Sequence, residues 1–195
     1  MNKSDIIKFF NSMAPTWDGE TIIDDDETKQ ILDFADIKEN HAVLDIACGT
    51  GVLLPYYLKR NVKKVTGVDI SPEMIRIAKE KFASEEKVRF ICADTERLET
   101  NERYDRVMIY NAFPHFENPQ NIIRKAAELL CVSGRLTVAH NMGIEQLNAH
   151  HSKGASKVSV GMIDTDKMEE LFSVLFTVDV KIQKENMYVV SGVKK

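Results

Sequence analysis

Residues 42–51, AVLDIACGTG, constrain this chain more than any other stretch. A short apolar run bounded by glycine reads as a buried strand delivering the chain into a tight loop. The residues that follow, VLLPYYL at 52–58, are apolar with helical potential, and Pro55 is compatible only with the first turn of that helix. Strand, glycine turn and helix in this order bring backbone N–H groups and a helix N-terminus to one point, a layout that receives nucleotide-like ligands. Inside the strand, four residues before Gly49, stands an acid, Asp45.

The glycine spacing narrows the ligand. A dinucleotide fingerprint needs G-x-G-x-x-G, its third glycine allowing close helix–strand packing. Counted from Gly49 that third position is Leu54, and counted from Ala47 it is Val52. A nicotinamide-dependent oxidoreductase is disfavoured on this ground. The strand-borne acid suits a ligand with a cationic group and hydroxyls better than a pyrophosphate. At these residues VLDIACGTG resembles the first motif of the class I S-adenosylmethionine-dependent methyltransferases, D/E-x-G-x-G-x-G, with Ala47 at the first glycine. The resemblance implies a transferase with S-adenosyl-L-methionine as cofactor, bound around Asp45, Ala47, Cys48, Gly49, Thr50 and Gly51.

At 195 residues the chain is most economically one domain, 1–195, long enough for a substantial core. Its 44% apolar and 29% charged residues are ordinary for a globular protein, and a net charge of −4 gives no broad reason to expect nucleic acid as a partner. No apolar run reaches membrane-spanning length, and the first residues lack a signal-peptide apolar core. Cys48, Cys92 and Cys131 have no C-x-x-C spacing and read as small buried residues in a reducing compartment. A cytoplasmic protein is expected.

Along the chain, Ser4 can cap a helix over 5–13, and Pro15 stops it. The stretch FFNSMAPTWD is similar to the entry segment of the ubiquinone- and menaquinone-biosynthesis group of methyltransferases. That likeness implies that residues 1–25 form an N-terminal helix and lid, with Trp17 at the cofactor. Asp24, Asp25, Asp26 and Glu27 form a charge run suited to the start of a helix over 27–35. A second strand at 65–69 ends in Asp69, followed by a helix that Ser71 caps and Pro72 opens. Asp69 lies 20 residues beyond Gly49, where an acid can accept both ribose hydroxyls. A third strand, 87–94, ends in Asp94. Three successive strands carrying Asp45, Asp69 and Asp94 at α/β spacing line the carboxyl edge of a parallel sheet, where ligands bind.

The remaining site roles and the sheet order come from the same resemblance, and the remaining elements from the residue pattern. Asp94 takes the adenine amine, with Ala93 and Thr95 beside it, and Ile70, Met74 and Asn111 complete the cofactor site. The fourth strand, 104–111, leads into Asn111-Ala112-Phe113-Pro114-His115-Phe116 opposite the transferred methyl. A helix over 118–131 precedes a turn at Ser133-Gly134 and a fifth strand over 135–140. A helix over 166–175 and a hairpin of 176–183 with 187–193 close the chain. The implied fold is a Rossmann-like three-layer α/β sandwich, a seven-stranded sheet of order 3-2-1-4-5-7-6 with strand 7 antiparallel.

Methyl transfer is an in-line displacement in which positioning and desolvation supply most of the acceleration, so few obligatory catalytic side chains are expected. The acceptor reads as a small molecule. Asn111-Ala112-Phe113-Pro114 departs at two positions from the N/D-P-P-Y tetrapeptide that marks amide methylation in the family. Four of five histidines fall after strands four and five: His115, His140, His150 and His151. On a short helix over 144–151, His151 shares a face with Ile144 and Leu147, whereas His150 points elsewhere. His151, His140 and His115 are the candidates for catalysis, either as a general base or as hydrogen-bonded structural groups. His140 and His151, with His115, are also the candidate metal ligands. A non-catalytic module that binds the cofactor as a sensor or scaffold is the alternative from another class.

Overall fold

The computed structural model describes residues 2–20, 24–149 and 157–195 in full, together with the backbone of His150. Helices α1 (Lys3–Met13), α2 (Trp17–Glu20) and α3 (Asp25–Phe34) come first. Strands and helices then alternate as β1 (Ala42–Ile46), α4 (Leu54–Lys59), β2 (Lys64–Asp69), α5 (Pro72–Lys81), β3 (Val88–Cys92), β4 (Tyr104–Tyr110), α6 (Pro119–Leu129) and β5 (Leu130–His140). The chain ends with α7 (Ile144–His150), α8 (Thr165–Ser173), β6 (Phe176–Gln183) and β7 (Tyr188–Lys194).

The seven strands form one sheet in the order β3-β2-β1-β4-β5-β7-β6. Pairs from β3 through β5 are parallel, and β7 runs antiparallel to both β5 and β6, as the resemblance implied. Every residue of β1 is buried, which is why its sequence shows no polar alternation around the single acid. Successive side chains nevertheless go to opposite faces. Leu44 and Ile46 join Val107, Ile109, Leu136 and Val138 under α6 and α8. Val43 joins Met108 and Ala139 under α3 and α4. The order reverses between β1 and β4, and crossovers leaving on opposite sides open a crevice at the carboxyl ends there.

Several boundaries moved for local reasons. α1 begins at Lys3 because Asn2, not Ser4, is the cap, its Oδ1 accepting from Ser4 N at 3.0 Å. α3 begins at Asp25 because Asp24 accepts from the N–H groups of Asp26 and Glu27. The acidic run is therefore the cap and first turn of a helix. β5 starts at Leu130 rather than 135. The chain passes from α6 directly into the strand, and Ser133, at φ +60°, falls within a register shift opposite Tyr104 and Arg106. Cys92 is exposed, contrary to expectation, because β3 is an edge strand covered on one side.

Candidate functional site

The crevice at the carboxyl ends of β1, β2 and β4 is a cleft with about 1110 Å³ of empty volume, open mouth included. Asp69 ends β2 and is 8% exposed. Its Oδ2 accepts from Gly49 N at 2.9 Å and its Oδ1 from Ser71 N at 2.8 Å. Those two bonds fix the carboxylate beside the glycine turn. Burial raises its pKa, while the N–H donors hold it down.

Asp45 is 2% exposed, and among the described residues no hydrogen bond to its carboxylate offsets that burial. Burial, reinforced by the charge of Asp69, pushes its pKa up to about 8. A carboxylate so placed asks for a cation. It sits one residue inside β1, opposite Gly67. A Cβ at Gly67 would come within 2.8 Å of Cys48 Sγ and 2.9 Å of Phe90, so the glycine there keeps the turn and β3 close to the sheet.

The turn after β1 needs left-handed backbone at Ala47 (φ +56°), Gly49 (φ +53°) and Gly51 (φ +85°). Ala47, Cys48 and Gly49 line the cleft. Thr50 and Gly51 do not. Thr50 is buried and its hydroxyl donates to Asp18 at 2.5 Å, and a Cβ on Gly51 would lie 2.8 Å from the Phe82 ring. Both residues pack the turn against its neighbours.

Asp94 follows β3 and caps a 3₁₀ turn, Thr95–Arg97, accepting from Glu96 N at 3.2 Å. Ala93, Thr95, Ile70, Met74, Asn111 and Trp17 line the same cleft, so the structure gathers most of the expected cofactor residues. Ala112 and Phe116 line it where the resemblance put them opposite the transferred methyl, whereas sequence reasoning missed Lys3, Ile6 and Phe10 from α1, Glu96 after β3, and Tyr110 and Glu117 around the end of β4. The α1 residues carried a signal, since Ile6 and Phe10 sit one helical turn apart on an apolar face.

Three polar contacts fasten the N-terminal segment across the strand ends. Lys3 Nζ reaches Asp94 at 2.5 Å and Glu96 at 2.7 Å. Asn11 Oδ1 accepts from Ser71 Oγ at 2.7 Å and from Glu73 N at 3.3 Å. Asp18 accepts from Thr50 and from Lys81 Nζ at 2.7 Å. Lys3 thus reaches the loop after β3, Asn11 the start of α5 after β2, and Asp18 the turn after β1 and the last turn of α5. Between them Phe10 meets Trp17 edge-on, ring centroids 5.8 Å apart.

The histidines separate. His115 lies on the cleft wall, its Nδ1 2.7 Å from Val158 O, its ring edge-on to Phe10 with centroids 5.0 Å apart. Burial lowers its pKa, outweighing the Val158 carbonyl. His140 is fully buried at the end of β5 beside Tyr188 and is not among the cleft-lining residues. A role for it in catalysis or metal binding has no access to the cleft. His151 lies outside the described residues. Among the described residues no cluster of three or more His, Cys, Asp or Glu side chains could hold a metal ion. No helix of the described residues is long and apolar enough to cross a membrane.

Comparisons with known proteins agree with this layout. Residues 43–134 match a family model described as a methyltransferase domain. Malonyl-acyl-carrier protein O-methyltransferase from Priestia megaterium is 29% identical over 166 residues, covering 82% of this chain and 60% of that protein. Its counterpart from Acetivibrio thermocellus is 29% identical over 157 residues, covering 77% and 55%. The chain thus spans little more than half the length of these curated relatives. Among solved structures, the N-methyltransferase NodS from Bradyrhizobium japonicum WM9 in complex with S-adenosyl-L-homocysteine matches with a TM-score of 0.75 at 14% identity, over 100% of this chain and 99% of that one. Magnesium protoporphyrin IX methyltransferase from Synechocystis PCC 6803, with the same compound bound, matches with a TM-score of 0.73 at 18% identity over the full length of both. At such identities the likeness establishes the fold.

Proposed function

We propose that the chain is a class I S-adenosylmethionine-dependent methyltransferase and that it transfers a methyl group from S-adenosyl-L-methionine to a small-molecule acceptor. The observation that carries this reading is the convergence of Asp45, Asp69 and Asp94 on one cleft beside a left-handed glycine turn. The residues fit such a cofactor. Asp69 keeps lone pairs for ribose hydroxyls after taking two N–H bonds, and buried Asp45 lacks a cationic partner that the amino acid portion would provide. Met74, Ile70 and Ala93 offer apolar contact for a flat base, and Asp94 accepts its amine alongside Lys3.

When bound, the cofactor supplies an electrophilic methyl group on a sulfonium. The protein's part is to orient two ligands and exclude water. In this reading residues 1–25 are a lid over a single domain of residues 1–195, fastened by the Lys3, Asn11 and Asp18 contacts. With three free cysteines, the protein is assigned to the reducing cytoplasm. The test is incubation with S-adenosyl-L-methionine and mixed quinols, phenols and thiols. Formation of S-adenosyl-L-homocysteine that requires an acceptor supports the enzyme. Tight binding of both compounds without any consumption would leave a sensor or scaffold instead.

A further inference from the structure

Resting on that reading, we propose that Asn141 is a positioning residue: through the side chain of Asn111 it fixes the cleft wall that faces the transferred methyl. Asn141 follows β5, is half-buried and is not among the cleft-lining residues. Asn111 follows the neighbouring strand, β4, and does line the cleft. The two thus stand at the carboxyl ends of paired parallel strands. Tyr110, just before Asn111, has Ala139 as its register partner, two residues before Asn141.

A carboxamide fits a site either way round, and here the backbone decides which. The Asn141 N–H only donates, so the atom it meets at 3.1 Å is Asn111 Oδ1. That orientation turns Asn111 Nδ2 to Asn141 Oδ1, at 2.8 Å. One residue therefore holds both ends of one side chain. The backbone of Asn111 is held as well, its N–H donating to Ala139 O at 2.9 Å. These bonds matter because Asn111 sits at φ +52°, left-handed backbone that is unfavourable for residues other than glycine. Asparagine is tolerated there when its short amide finds local partners. The anchor is itself clamped. Gly143 N donates to Glu185 O at 2.8 Å, and a Cβ at Gly143 would run into that same carbonyl.

The left-handed turn at Asn111 sets the direction of the chain that follows it. Ala112, Phe116 and Glu117 line the cleft, and between them Phe113–His115 form a 3₁₀ turn whose Phe113 packs in the core. Extended or right-handed backbone at Asn111 would swing this wall relative to the glycine turn after β1. In-line displacement tolerates little misplacement of the reacting atoms. Asp69 and Asp94 follow β2 and β3, on the far side of β1 from β4, so the ribose and base end is independent of this anchor. Asn141 thus acts on the methyl end of the site from outside the cleft.

Calorimetry with S-adenosyl-L-methionine and S-adenosyl-L-homocysteine tests this on the wild-type protein and two variants. The two compounds differ only in the methyl group and its charge, so the ratio of their affinities reports on the wall beside the methyl. Asn141→Ala removes the Oδ1 acceptor and keeps the backbone donor. It should weaken S-adenosyl-L-methionine about fivefold, the weight of one hydrogen bond, and leave S-adenosyl-L-homocysteine within about twofold. Equal weakening of both, or of neither, overturns the proposal. Asn141→Asp keeps the accepting oxygen and should return the ratio to within about twofold of wild type. A ratio like that of Asn141→Ala places the effect on another contact of Asn141 and overturns the proposal too. Side-chain ¹H–¹⁵N NMR needs no variant: the Asn111 amide protons should exchange at least about tenfold more slowly than those of an exposed asparagine. Exchange at the exposed rate overturns the anchor. Wild-type protein that binds neither compound removes the parent reading and the proposal with it, whereas failure in the variants alone confines the loss to Asn141.

Discussion

Asp45 shows how one residue trades stability for binding. Its carboxyl is protonated in the free protein up to about pH 8, whereas in the unfolded chain it ionises near 3.8. Between those values the folded state binds the extra proton, so stability falls as pH rises through the window and levels off above about 8. Asp45→Asn should flatten that slope and raise the Tm of the free protein at pH 8 more than at pH 5, while weakening S-adenosyl-L-methionine binding; thermal melts at the two pH values check it, and an equal shift at both would deny the buried charge. Ala47 carries a different strain. Held at φ +56°, an alanine there costs roughly 1–2 kcal/mol, part of which glycine would return as unfolded-state entropy. Ala47→Gly should stabilise by up to about 1 kcal/mol, a Tm rise of roughly 2–4 °C. No rise would mean that the turn's strain is relieved elsewhere.

At the level of elements, the N-terminal helix contributes Lys3, Ile6 and Phe10 to the cleft wall. Asn11 ties α1 to the capped start of α5, directly beyond Asp69. Losing a hydrogen bond of about 1 kcal/mol at a closing element should speed ligand escape by roughly fivefold. Asn11→Ala is therefore expected to raise the dissociation rate of S-adenosyl-L-homocysteine about that much, with faster amide exchange confined to α1; stopped-flow release unchanged from wild type would argue against a lid. The strands were legible because β1, β2 and β4 are short apolar runs punctuated by acids and glycine. Caps were harder to read. Asn2 looks like a surface residue, and only folded geometry shows that its side chain closes a helix end. The long β5 was hidden by Ser133-Gly134, residues that usually end a strand but here lie within it.

For the whole molecule, the acids at the sheet edge could be read from spacing alone, since Asp45, Asp69 and Asp94 recur at α/β intervals. What spacing could not provide is the far wall of the cleft. Lys3 and Phe10 come from a segment distant in sequence, and spacing does not mark them as neighbours of Asp94 or His115. The same holds for His140, which reads as a loop-end histidine but is taken into the core where β5 pairs with β7. The central claim is a sulfonium-nucleoside site centred on Asp69. Calorimetric titration of the wild-type protein and of Asp69→Asn with S-adenosyl-L-homocysteine tests it most directly. Charged hydrogen bonds contribute about 1.5–3 kcal/mol each, so the account predicts wild-type binding that weakens roughly ten- to a hundredfold in the variant. Wild-type protein that does not bind, or a variant that binds as tightly, would contradict it.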